Sequence, residues 1–88
     1  MASNKPFHLF HAIGAAPGAP ESSVVRKFLV DKNLSEQIEF HNVAYEGSQK
    51  MIREMTKQHV VPCLVEVEGH RVFVGVAAIL ARLELLKA

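Results

Sequence analysis

Val60-Val61-Pro62-Cys63-Leu64-Val65-Glu66-Val67-Glu68-Gly69-His70-Arg71-Val72-Phe73-Val74-Gly75 reads as strand, two-residue turn, strand. Val61, Leu64, Val65, Val67, Val72, Phe73 and Val74 supply the apolar, largely β-branched character of strands, and Glu68-Gly69 breaks the run at hairpin spacing. Pro62 stands at the head of the first strand, where a missing N–H is tolerated.

Outward from this hairpin, the 88-residue chain is long enough for one domain with one modest core. Met1–Pro6 reads as a flexible N-terminal extension without the shape of a secretory signal. Phe7-His8-Leu9-Phe10-His11-Ala12 is a strand of mixed pattern, as in a strand buried on both faces. Ile13–Pro20 is a loop punctuated by Gly14, Pro17, Gly18 and Pro20. A helix follows over Pro20–Lys32, with Val24, Val25, Phe28 and Leu29 at helical spacing and Asn33 suited to its left-handed end. Ile38–Tyr45 is a second strand, and Gly47-Ser48 opens a short helix striped by Met51, Ile52 and Met55. After Gly75, a last helix runs over Val76–Lys87.

The order is β-α-β-α-β-β-α. A strand–helix–strand start implies a parallel pair with a right-handed crossover. The hairpin adds antiparallel strands, giving a four-stranded mixed α/β sheet flanked by helices on both faces, the order of a thioredoxin fold.

A net charge of +1, with basic residues scattered among acids, gives no reason to expect nucleic acid or an anionic membrane as partner. The apolar runs fall short of the ~20 residues that span a bilayer. Cys63 is the single cysteine, which excludes an internal disulfide and a zinc site built from cysteines, and suits a reducing cytoplasm. His8 and His11 are three apart, so a strand points them to opposite faces and no metal site is expected from them.

Val-Val-Pro, strand, tight turn, strand, glycine and helix resemble the second half of the glutaredoxin branch of the thioredoxin fold, which the N-terminal domain of glutathione transferases shares. The resemblance covers roughly Phe7 to Leu86. It implies that Pro62 is cis and faces a ligand cleft, and that the Val61 backbone meets the peptide part of glutathione.

Glutaredoxins carry Cys-x-x-Cys or Cys-x-x-Ser at the start of the first helix, where the dipole and free N–H groups favour a thiolate. Matching the helix places this motif at Ala19-Pro20-Glu21-Ser22; matching the strand places it at Ala15-Ala16-Pro17-Gly18. In both, alanine replaces the nucleophile. The last-helix motif that holds the glutamyl end of glutathione matches Val74-Gly75-Val76-Ala77, which keeps a glycine and lacks the acid or hydroxyl. The basic residue usual after the first strand is Ala12 here.

The resemblance thus implies ligand-binding roles for Val61, Pro62, Gly75 and Ala19, in a cleft lined by the Gly14–Pro20 loop, Ser22, the Val61 backbone, Pro62 and the start of the last helix at Gly75. Ser22 has two readings, a helix-start cap or a hydrogen-bond donor to a bound thiolate. Cys63 also has two. Alternation turns it away from the side that Pro62 faces, into the core, whereas its place after Pro62, four residues beyond His59, would suit a reactive thiol. The expected function is a glutaredoxin-like protein with a degenerate active site and a residual thiol- or glutathione-linked redox role. The alternative is a non-enzymatic binding module that takes a peptide or protein partner in the same cleft. Homodimerisation is a further option for covering apolar surface.

Overall fold

The computed structural model describes residues 5–86. Strands β1 (Phe7–His11), β2 (Ile38–Asn42), β3 (Cys63–Glu66) and β4 (Arg71–Val74) form one sheet in the order β2-β1-β3-β4. β1 and β2 are parallel; β1–β3 and β3–β4 are antiparallel. Helices α1 (Ala19–Asp31), α2 (Glu46–Thr56) and α3 (Val76–Leu83) complete a small α/β unit. The arrangement is compatible with a thioredoxin-like fold. Among the described residues, no helix is long and apolar enough to cross a membrane.

Alternation along the strands sorts the core into two layers. Leu9 and Leu64 face Val25 and Leu29 of α1 and Ile79 and Leu83 of α3. Phe10, Cys63 and Val65 face the other way, toward Ile52 of α2, with Ala19 in the same cluster. β1 and β3 are the two inner strands, which explains why their sequences run apolar on successive positions instead of alternating. Of the helical positions expected inside α1, Val25 and Leu29 are buried, while Val24 lies exposed.

Element ends differ from the sequence reading for local reasons. β2 stops at Asn42 because the Asn42 Oδ1 accepts the Ala44 N–H (2.9 Å) and the Tyr45 N–H turns back to the Asn42 carbonyl (3.1 Å). The hairpin strands stop at Glu66 and Arg71, and between them the expected Glu68-Gly69 turn is closed by the His70 N–H bonding the Val67 carbonyl (3.2 Å). The Val67 N–H is taken by the Pro6 carbonyl (2.9 Å), and Gly69 and His70 both adopt positive φ (79° and 48°). The bond from Val67 also ties Pro6 to the sheet, while Met1–Asn4 of the expected N-terminal extension lie outside the described residues. α3 ends at Leu83 because the next N–H groups change from four-back to three-back bonds: Leu85 N–H to Arg82 and Leu86 N–H to Leu83. This tightening brings Leu86 onto the α1–α3 core. Lys87, the expected end of that helix, lies outside the described residues.

α3 is tied to β3 by a two-pronged ion pair. Arg82 Nε and Nη2 donate to Glu66 Oε1 and Oε2 at 3.0 and 2.8 Å, with the guanidinium 5.4 Å from the Phe7 ring centre. The hydrogen bonds from Arg82 hold the Glu66 carboxyl below its ordinary range.

Candidate functional site

A connection leaves β1 toward α1 on one face of the sheet, and another leaves β2 toward α2 on the opposite face. Diverging connections open a crevice beyond the carboxyl ends of parallel strands. A cavity of about 550 Å³ lies there. Four segments line it: Ala12–Gly18 in part, Asn42–Ala44, Gln49 from α2, and His59–Val61.

The walls are built from the backbone as much as from side chains. Gly18 is the N-cap of α1 with φ 83°, and it packs so closely on Val61 that an added Cβ would stand 2.5 Å from the Val61 carbonyl oxygen. The loop is drawn in by the Ala19 N–H bonding the Ala16 carbonyl (3.1 Å). On the opposite wall, the Gln49 amide donates to the Val43 carbonyl (2.9 Å), fixing α2 to the end of β2. The Val61–Pro62 peptide bond is cis, as the resemblance implies.

The lining is apolar apart from Asn42, Gln49 and His59, and contains no Asp, Glu, Lys, Arg, Ser or Cys. Ile13 and Val60 are more than a third exposed at its mouth. Such a cavity can take an uncharged, largely apolar group, with a few amide or imidazole groups in its wall.

Of the residues that the sequence singled out, Val61 lines the cavity. Pro62, Ala19, Ser22 and Cys63 are buried, and none of the four is among the lining residues; neither is Gly75. Gly75 caps α3 with φ 88° and donates its N–H to the Pro62 carbonyl (3.1 Å).

Ser22 is fully buried, and its Oγ accepts the Ala12 N–H at 3.0 Å. The N-cap is Gly18, so Ser22 does not act through capping; it pins α1 to the end of β1. We expect Ser22→Ala to strip this buried N–H of its acceptor and to cost ~1–3 kcal/mol. A lowered urea midpoint with an unchanged slope would register that loss; unchanged stability would return the hydroxyl to a ligand role.

Cys63 is 1% exposed and faces α2. Burial pushes its thiol up to about 11. Alternation was the correct guide to its direction, because Leu64 on the next position faces α1 and α3.

Sequence reasoning missed Asn42, Gln49 and Ile13 as wall residues, since they converge only through the fold. It also missed Arg26. From α1, the Arg26 Nη1 donates to the Ala12 carbonyl (2.9 Å) and lies 3.1 Å from His11 Nδ1. Burial, then the Arg26 charge and His41, hold the His11 pKa below its ordinary value. A cation therefore does attend the end of β1, but it comes from the helix and is engaged with the backbone.

No protein-family model matches the chain, and no curated protein or solved structure matches it either.

Proposed function

We propose that this chain is a glutaredoxin-like domain of the thioredoxin fold that serves as a non-enzymatic binding module. Its cavity at the ends of β1 and β2 receives an apolar side chain of an extended peptide segment, and the Val61 backbone beside it pairs with that segment in the manner of an added strand. The observation that carries this reading is the composition of the cavity wall: apolar side chains and amides, without an acid, a cation, a hydroxyl or a thiol among them.

The assignment to the glutaredoxin branch is supported by the sheet order β2-β1-β3-β4 and by the start of α1 at Ala19. That start coincides with the Ala19-Pro20-Glu21-Ser22 match to the family's cysteine motif. The alanine at the nucleophile position is packed into the α2-side core. Glutathione carries two carboxylates, and a wall without lysine or arginine gives them no charge-assisted bonds. The thiol-linked alternative would have to act through Cys63, whose burial opposes thiolate formation.

Amide NMR titrations separate the two readings. A short extended peptide bearing valine or leucine side chains is expected to shift the amides of Ile13, Gly18 and Val61. Glutathione at millimolar concentration is expected to leave them unmoved. Glutathione shifts at these positions with none from the peptide would reverse the assignment.

A further inference from the structure

His8 on β1 and His41 on β2 lie on one face of the sheet. The register sets His8 opposite Glu39 and Phe10 opposite His41, so the two histidines are diagonal neighbours across a parallel pair. His8 Nδ1 and His41 Nε2 are 2.7 Å apart. The rings are inclined by only 17° with centres 5.0 Å apart, while Phe10 lies against His41 at 4.9 Å and fixes one of the rings. His11 takes no part, since it engages Arg26. Neither His8 nor His41 lines the cavity described above.

Two imidazole nitrogens at this distance share one hydrogen: one ring donates and the other accepts. When the donor ring carries its proton on the other nitrogen instead, both facing nitrogens present lone pairs, and no net proton is lost. Neutral imidazole is the form that binds metals. The two facing nitrogens, held 2.7 Å apart by the strand register and the Phe10 contact, are the donors such a site needs.

We propose that His8 and His41 form a two-histidine site for a divalent transition ion of tetragonal preference, Cu²⁺ or Ni²⁺, with water completing its coordination. The 2.7 Å gap between nitrogens each ~2.0–2.1 Å from an ion corresponds to an angle of about 80° at the metal. This is close to the right angle between adjacent ligands of a tetragonal ion and well short of a tetrahedral angle. Among the described residues, no group of three His, Cys, Asp or Glu side chains converges. The site therefore rests on two half-buried protein donors held by adjacent strands.

Titration of the untagged full chain with Cu²⁺ at pH 7.5 tests the site. The expected result is one ion per chain, with electron paramagnetic resonance showing a tetragonal centre coupled to two imidazole nitrogens. His8→Asn and His41→Asn should each weaken binding roughly tenfold or more, while His70→Asn should leave it unchanged. Circular dichroism checks that the variants fold. If they do not, substoichiometric Ni²⁺ on the wild-type chain decides: the ring signals of His8 and His41 should broaden before those of His59 and His70. Undiminished binding in both folded variants, broadening led by His59 or His70, or no binding at millimolar ion would overturn the proposal.

Discussion

Iodoacetamide at pH 8 is expected to label Cys63 in the folded protein at least roughly a hundredfold more slowly than in the urea-unfolded chain. The thiolate is the species that reacts, and each pKa unit above the ordinary value removes about nine-tenths of it. Burial pushes the Cys63 thiol up to about 11, from an ordinary value of 9.0. Two units alone account for the hundredfold. Access adds to it, because the side chain is 1% exposed beneath α2, packed with Phe10 and Ile52. Labelling must then wait for an opening of the core, and its rate should rise with urea as that opening becomes easier. Rates within about tenfold of the unfolded chain would mean that the thiol reaches solvent in the native state. The redox reading would then regain its nucleophile, and the argument against a thiol-linked role would fall.

The burial of Cys63 illustrates what could be read from the sequence. Period-two alternation is a local rule, and it correctly turned Cys63 toward a core while Leu64 went to the opposite layer. The same rule correctly separated His8 from His11. The parallel pair, the antiparallel hairpin and the three helices likewise followed from element order and apolar spacing. Quantities fixed by contacts distant in sequence were not legible. Ser22 looked like a cap or a donor to ligand because its actual partner, the Ala12 N–H, is reached only after α1 folds back along β1. The meeting of His8 and His41 depends on the β1–β2 register, which no residue type at either position announces. The Glu68-Gly69 turn was legible from its own chemistry, and the His70 N–H bond to the Val67 carbonyl closes it, whereas the bond from the Val67 N–H to the Pro6 carbonyl, far away in sequence, was not. The cavity is the extreme case, since its wall is drawn from four segments of which the sequence flagged two, the Gly14–Pro20 loop and Val61.

Gly18→Ala is expected to destabilise the fold by ~2–5 kcal/mol, from the left-handed backbone penalty of ~1–2 together with an overpacking cost of ~1–3. The first contribution follows from φ 83° at Gly18, a region that side chains with a Cβ rarely enter. The second follows from the neighbour. The new Cβ would stand 2.5 Å from the Val61 oxygen and 3.1 Å from its carbonyl carbon, and backbone cannot rotate aside as a side chain can. Gly14→Ala separates the two contributions. Gly14 also has positive φ, 75°, but a Cβ there meets nothing within 4 Å, so it should lose only the first amount. Urea unfolding of both variants gives the difference directly from their midpoints. A larger loss at Gly18 means that the α1 cap is pressed against the segment before Pro62. That contact is also a wall of the cavity, so Gly18→Ala should displace Val61 and weaken peptide binding in the chains that remain folded, while Gly14→Ala should not. Equal losses in the two variants would mean that Val61 yields easily, and a cavity with a yielding wall would not select one side chain over another.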